Sequence, residues 1–198
     1  NAVKQAEALD NNISSSEHSI YGMPVLLKDN INTAEMKTTA GALALAQNQP
    51  SEDAQIVKNL KSNGAIILGK VNLSEWANFR SSNSSSGWSG VGGLTRNPHV
   101  LDRSACGSSS GSGAAAASSF AQITIGTETD GSIVCPSGVN GVVGLKPTVG
   151  LIPRTAIVPI SSSQDTAGPM CRNVNDAAMM LYALLGTDAE DQKSKAIP

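Results

Sequence analysis

One lysine lies inside an apolar stretch of the sequence, Pro24-Val-Leu-Leu-Lys28-Asp29, where most surface lysines would not be found. A lysine in a buried strand must extend to solvent, pair with an acid or lose its proton. A neutral amine can act as a general base, so Lys28 is a candidate for proton transfer. The alternative is an ion pair with the neighbouring Asp29, which would make Lys28 structural.

A second candidate is the run of serines in CGSSSGSGAAAA, residues 106–117. The serines of this run are Ser108, Ser109, Ser110 and Ser112. A Gly/Ser run can be a flexible linker, but linkers do not usually continue directly into an alanine-rich helix as this one does. Hydroxyls at a helix start can cap its free amides, and they can also serve as nucleophiles or proton carriers.

A third candidate is the turn TETDGS, residues 127–132, which follows the apolar stretch ITIG. Consecutive amides in a sharp turn can converge on one point and stabilise a developing oxyanion. The alternative is an ordinary polar turn in which Ser132 caps the next helix.

Three familiar motifs are excluded by their context. The segment 64–70 fits the phosphate-binding pattern GxxxxGK, but Val71 replaces the required Ser/Thr and the intervening residues are apolar. The segment 107–111 fits the nucleophile elbow GxSxG, but no apolar strand precedes it and both histidines come before Ser109. An S-x-x-K site is excluded because no lysine has a serine three residues before it.

Taken together, the three candidate segments resemble the motifs of the amidase-signature family. The matching segments are PVLLKDN around Lys28, GSSSGS followed by alanines, and GTETDGSIVCPSGVNGVVGLKPTVG; the later QDTAGPMCRNVNDAA is also similar. The resemblance runs from about Gly22 to Leu185 and is most specific over residues 126–150.

The resemblance implies a Ser–Ser–Lys triad that hydrolyses carboxamides through an acyl-enzyme, without metal or cofactor. Ser132 matches the nucleophile, Ser108 the bridging serine and Lys28 the base, and the two serines are 24 residues apart (132 minus 108), as in the family. It also implies an oxyanion hole of backbone amides, an auxiliary position, and a cis peptide bond before the bridging serine. These are the amides of Thr129, Asp130 and Gly131, the hydroxyl of Ser109, and the bond Gly107–Ser108.

The sequence departs from the commoner family form, which has Gly-Gly before the nucleophile and Arg two residues after it. Here these positions are Asp130-Gly131 and Val134. The TETDGSIVCP form resembles the peptide-amidase branch, which implies C-terminal peptide amides as substrates. Two alternatives remain: the amidase component of a glutamine-dependent amidotransferase, and an inactive truncated scaffold.

Alternating elements predict an α/β fold that positions these residues. We predict strands at 22–31, 65–71 (interior to the sheet), 123–127 and 142–148, helices at 53–62 and 173–185, and a loop leading into a helix over 106–120. The resemblance implies a mixed central sheet flanked by helices on both faces. We expect residues 1–198 to form one catalytic domain, cut from a longer chain at both ends.

The composition of the chain limits the kinds of binding partner that we expect. The 198 residues carry a net charge of −2 without a basic run, which predicts no nucleic-acid binding, and no apolar run is long enough to predict a membrane span. We expect a small-molecule or peptide amide as the partner, and no oligomeric state is predicted.

Cysteine usage is the remaining constraint. Cys106, Cys135 and Cys171 are widely spaced and predict neither a disulfide framework nor a zinc site. Unpaired cysteines slightly favour the cytoplasm and leave a secreted or periplasmic location open. A cysteine-based amidase with a Glu–Lys–Cys triad is a rival, although no family-like context surrounds Cys106 or Cys135.

Overall fold

A five-stranded mixed sheet forms the centre of the computed structural model, which describes residues 2–11 and 20–194. Its strands are β1 (Pro24–Lys28), β2 (Ile66–Val71), β5 (Ile123–Glu128), β6 (Val143–Gly144) and β7 (Thr166–Cys171), and β3 (Trp88–Ser89) with β4 (Gly93–Leu94) forms a separate two-stranded sheet. The central order is β2-β1-β5-β7-β6. β1 is parallel to β2 and β5, whereas β7 is antiparallel to β5 and β6.

Helices pack on both faces of this sheet. They are α1 (Ala2–Asp10), α2 (Gln55–Ser62), α3 (Ser110–Ala117), α4 (Val134–Asn140) and α5 (Val174–Leu184). α2 and α5 contact each other and the strands from one face, while α3 contacts β5, β7 and α4 on the other. The predicted α/β class with a mixed central sheet is therefore confirmed. No helix within residues 2–11 or 20–194 is long and apolar enough to cross a membrane.

The larger hydrophobic core lies between the sheet and the helices α2 and α5. Alternate residues of β1 point into it because side chains of a strand alternate between faces. Its main members are Val25 and Leu27 of β1, Ile123 and Ile125 of β5, Ile56 and Leu60 of α2, and Met180 and Leu184 of α5. This core fixes the position and direction of β1 and β5, the two strands that end at the candidate site.

The opposite face of the sheet is packed by small residues. Leu26 of β1 contacts Ala115 of α3 and Ala121. Close approach is required here, because a Cβ on Gly111 would lie 2.5 Å from the carbonyl oxygen of Asn72. Lys28 lies two residues after Leu26 and therefore points towards this same face, at the start of α3.

Several predicted elements differ in place or extent. β2 was predicted to be interior but is the edge strand of the described sheet, so that prediction was wrong. β6 spans only two residues, because Pro147 and its neighbours leave the sheet. β7 was not predicted at all, because Gly168 and Pro169 disguise a strand that pairs along its whole length with β5.

Helix ends agree better with the sequence. α5 begins one residue inside the predicted helix 173–185, and Asn173 caps it by accepting a hydrogen bond from the Asp176 amide at 2.9 Å. Val174 is 68% exposed, and the apolar residues that α5 buries are Ala177, Met180, Ala183 and Leu184. Residues 1, 12–19 (including His18) and 195–198 lie outside the described part, as do the predicted cuts at the two chain ends.

Candidate active site

Lys28 ends β1 and is fully buried, with 0% of its surface exposed. Its Nζ lies 2.7 Å from Ser108 Oγ, 2.8 Å from Thr127 Oγ1 and 3.1 Å from the carbonyl oxygen of Thr127. All of these partners are neutral. The environment therefore provides hydrogen bonds to the amine without an adjacent countercharge.

Burial lowers the pKa of Lys28 from 10.5 to about 7, although the negative charges of Glu128 and Asp165 raise it in part. A neutral amine has two N–H groups and one lone pair. The two oxygens of Thr127 can accept the two N–H groups, which leaves the lone pair for the hydroxyl proton of Ser108. The three contacts thus match the hydrogen-bonding capacity of a neutral base.

The alternative ion pair between Lys28 and Asp29 is not formed. Asp29 Oδ1 lies 3.0 Å from Lys70 Nζ, and the other carboxylate oxygen accepts hydrogen bonds from Thr39. Asp29 is thereby directed away from its neighbour in sequence and towards strand β2. Lys28 is therefore not held in a structural ion pair with Asp29.

Only one of the four serines at the start of α3, all of them within the described residues, contacts Lys28. Ser109 Oγ lies 3.1 Å from the carbonyl oxygen and 3.2 Å from the amide nitrogen of Thr127, so it ties α3 to β5. Ser110 Oγ contacts Thr95, and Ser112 Oγ donates to the carbonyl oxygen of Ile125. Ser108 is thus separated from its neighbours by geometry, and its peptide bond to Gly107 is cis.

Ser132 lies in the turn after β5 and is 9% exposed. Its carbonyl oxygen accepts a hydrogen bond from the Ser109 amide at 3.1 Å, which joins the turn to the start of α3. Its Oγ has no hydrogen-bond partner among residues 2–11 and 20–194. The structure therefore brings Lys28 and Ser108 into contact, and the hydroxyl of Ser132 forms no hydrogen bond with either of them.

The amides around Ser132 divide into two groups. Gly131 donates to Glu128 Oε1 at 3.0 Å, so it is not free to stabilise an oxyanion as the resemblance implied. The amides of Thr129, Asp130 and Ser132 donate no hydrogen bond within the described residues. The side chain of Asp130 is exposed and forms no described ion pair, and the hydroxyl of Thr129 donates to Asp165 at 2.6 Å.

The cysteine prediction was wrong. Cys106 and Cys135 form a disulfide with their Cα atoms 6.0 Å apart. The spacing concealed it, because residues 29 positions apart in sequence come together only when α3 and α4 pack side by side. Because two of the three cysteines are paired, cysteine usage no longer favours the cytoplasm.

The same finding argues against the rival cysteine mechanism. The sulfur atoms of Cys106 and Cys135 are bonded to each other and are not nucleophiles in this state. Cys171 is buried in β7, and burial together with Asp176 raises the pKa of its thiol to about 12. A thiol with such a pKa is almost entirely protonated near neutral pH.

The sequence interpretation missed two residues that touch the candidate base or its neighbour. Thr127 contacts Lys28 directly, and Asn30 Nδ2 donates to Thr127 Oγ1 at 2.9 Å. Both follow apolar stretches that end side by side in the parallel pair β1 and β5. Polar residues at the carboxyl ends of adjacent parallel strands are a signal that could have identified them.

A cavity of about 220 Å³ lies beside this cluster. Asn30, Thr127 and Thr129 form its polar side, and an apolar wall runs from Ile157 to Ile160. Arg154 also lines the cavity and is held by Asp191, with Nη2 2.7 Å from Oδ1. No group of three or more His, Cys, Asp or Glu in the described residues is placed to hold a metal ion.

Comparison with known proteins gives consistent matches. The Amidase family matches residues 1–198. A probable amidase of Arabidopsis thaliana is 49% identical over 177 residues, covering 89% of this chain and 35% of that protein. A glutamyl-tRNA(Gln) amidotransferase subunit of Sulfurihydrogenibium sp. (strain YO3AOP1) is 40% identical over 199 residues, covering 100% of this chain and 40% of that protein.

Among solved structures, the native peptide amidase from Stenotrophomonas maltophilia superposes with a TM-score of 0.96 at 55% identity, covering 100% of this chain and 41% of that one. The chain thus spans roughly a third to two-fifths of the relatives that it matches. Because the family match covers every residue and the fold superposes throughout, this chain belongs to the amidase-signature family.

Proposed function

We propose that this chain is the catalytic core of a serine hydrolase that cleaves linear carboxamides and releases ammonia. The observation that supports this proposal best is the 2.7 Å contact between Ser108 Oγ and Lys28 Nζ, at a lysine whose pKa burial lowers to about 7. A base with a pKa near the working pH combines a large neutral fraction with useful basicity.

The proposed reaction begins with Ser132. Lys28 accepts the proton of Ser108 as Ser108 accepts that of Ser132, and Ser132 Oγ bonds to the carboxamide carbon. The tetrahedral oxyanion is stabilised by the free amides of Thr129, Asp130 and Ser132. The C–N bond then breaks, the relayed proton goes to the leaving nitrogen, and ammonia departs. Water hydrolyses the ester by the reverse relay and yields a carboxylic acid.

We further propose C-terminal peptide amides as the substrate class. The support is the 55% identity to a protein named as a peptide amidase, against 40% to the amidotransferase relative. Asp130-Gly131 and Val134 also stand where the commoner family form has Gly-Gly and Arg.

The test is covalent labelling of this chain with a fluorophosphonate, followed by mapping of the modified residue. We expect labelling on Ser132, none in Ser132→Ala, and normal labelling in the matched control Ser110→Ala, whose hydroxyl contacts Thr95 and not Lys28. Inactivation by iodoacetamide without fluorophosphonate labelling would instead indicate a thiol enzyme. A folded chain that shows neither reaction would support the inactive scaffold.

A second candidate is the amidase component of a larger complex, favoured by the 40% identity over 199 residues to the amidotransferase relative. Ammonia release from a simple peptide amide by the isolated chain would contradict it. Labelling of Ser132 without any release of ammonia would favour it over the stand-alone hydrolase.

A further inference from the structure

Glu128 is a buried carboxylate without a cationic partner in the described part of the chain. It ends β5 and is 5% exposed. Its oxygens accept three backbone hydrogen bonds instead: Oε1 from the amide of Gly131, and Oε2 from the amides of Ile133 and Val134. A buried carboxylate is unfavourable unless hydrogen bonds satisfy its oxygens, and these three contacts do so.

The three amides lie on both sides of Ser132. Gly131 precedes Ser132 in sequence, and its amide nitrogen lies 3.0 Å from Glu128 Oε1. Ile133 and Val134 follow Ser132, and their amide nitrogens lie 2.6 and 2.9 Å from Glu128 Oε2. The bend between them requires glycine, because Gly131 has a φ of +75°. One side chain thus holds the backbone before and after the candidate nucleophile.

Ser132 depends on this backbone support. Its Oγ makes no hydrogen bond within the described residues, so its own side chain does not fix its position. The same carboxylate also determines which amides of the turn are occupied, because the amides of Gly131, Ile133 and Val134 point towards Glu128. Those it leaves, at Thr129, Asp130 and Ser132, remain free for a substrate oxygen.

We propose that Glu128 is the positioning residue for the nucleophile turn: its carboxylate sets the place of Ser132 and determines which amides form the oxyanion hole. This inference rests on the proposed function of Ser132. Glu128 also acts at a distance on the base, because its negative charge raises the pKa of Lys28. A residue that served only for stability would affect neither the nucleophile nor the base.

The test uses Glu128→Gln, which keeps the shape of the side chain and removes its charge. We expect labelling of Ser132 by a fluorophosphonate to slow by about 100-fold, the loss typical of a misplacement near 1 Å. The acid limb of the pH–labelling profile is the range below the pKa of Lys28 in which the labelling rate rises with pH. It should move to lower pH, because protonated Lys28 loses the stabilising charge of Glu128 and the pKa of Lys28 falls. Amide hydrogen exchange at Gly131 and Val134 should accelerate relative to β5.

Glu75→Gln is the matched control, because the Glu75 carboxylate also holds a loop amide, that of Gly90 at 3.0 Å, and its described contacts include neither Lys28 nor Ser132. It should keep both the labelling rate and the acid limb. If Glu128→Gln does not fold, Glu128→Asp retains the charge on a shorter side chain, and it should slow labelling while the acid limb stays in place.

A folded Glu128→Gln with the wild-type labelling rate and acid limb would overturn the proposal. Failure of the proposed function has a different signature, since the unsubstituted chain would then not label at Ser132. In that case hydrogen exchange still reports whether Glu128 holds the turn, and unchanged exchange in Glu128→Gln would overturn that as well.

Discussion

Two lysines on neighbouring strands differ in burial and in partners: Lys28 is fully buried, and Lys70 is mostly buried. Lys28 ends β1 against uncharged oxygens, whereas Lys70 of β2, paired in register with Leu27, meets Asp29 at 3.0 Å. Burial lowers the pKa of both, and at Lys70 the adjacent carboxylate opposes the shift. Burial alone therefore does not make a lysine a base. What distinguishes Lys28 is the absence of an adjacent countercharge and the presence of a hydroxyl that can deliver a proton.

The largest difference between the two lysines is expected when each amine is removed in turn. Lys28→Ala should slow fluorophosphonate labelling of Ser132 by about 10³-fold, within the range for loss of a general base. Lys70→Ala should keep the labelling rate. It should instead lower the free energy of unfolding by about 3 kcal/mol, because Asp29 is left nearly buried without its cation.

Lys58→Ala provides the baseline for both variants, because Lys58 is about half exposed and pairs with Glu52 on the surface. Denaturant titration and labelling kinetics on the same samples measure the two effects. Equal labelling rates in Lys28→Ala and Lys58→Ala would remove Lys28 from the mechanism.

A finer comparison uses the hydroxyls that contact the two amines. Thr127 Oγ1 lies 2.8 Å from Lys28 Nζ, and Thr38 Oγ1 lies 2.9 Å from Lys70 Nζ. Thr127→Val should slow labelling by about 10- to 100-fold, because an unpaired N–H group costs about 1–3 kcal/mol and the lone pair is no longer aimed at Ser108.

Thr38→Val is the matched control and should keep the labelling rate, with a loss of about 1 kcal/mol in stability. The same slowing in both variants would show that the contact acts through general packing and not through orientation of Lys28.

The pH dependence of the unsubstituted chain tests Lys28 in a third way. Labelling should rise about tenfold for each pH unit up to the pKa of Lys28, about 7, and then level as the amine becomes neutral. Between about 7 and 10.5 the unfolded chain keeps a proton on Lys28 that the folded chain has released. The unfolded state therefore binds more protons in this window, and stability should rise with pH.

Lys28→Met should flatten this rise in stability, as measured by denaturant titrations across the window. An unchanged slope in Lys28→Met would assign the dependence to another group and contradict the lowered pKa.

Much of the site could be inferred from local sequence. Lys28 is fully buried, as its apolar neighbours predicted, and the contact with Ser108 unites two of the segments that the motifs single out. The strands β1, β2 and β5 and the helix α5 carry strong apolar patterns, so their positions were found. These features depend on residues close together in sequence, or on an order of motifs that the family shares.

The missed features depend on contacts that no local pattern encodes. β7 pairs with β5 although Gly168 and Pro169 would disfavour a strand, because burial on both sides outweighs local propensity. The choice of Asp29 between Lys28 and Lys70 depends on the register of β1 and β2. Glu128 looked like an ordinary turn residue, since its three amide contacts exist only once the turn has formed.

The disulfide has a consequence for the covalent structure of the chain. It closes residues 106–135 into a ring that contains both candidate serines, Thr127 and Glu128, while Lys28 reaches the ring from outside. A single proteolytic cut inside the ring would leave Ser108 and Ser132 in one covalent molecule. The two fragments would separate on a gel only after reduction. The candidate nucleophile Ser132 and the candidate bridging residue Ser108 are therefore parts of one covalent ring. The candidate base Lys28 lies outside the ring, at the end of β1.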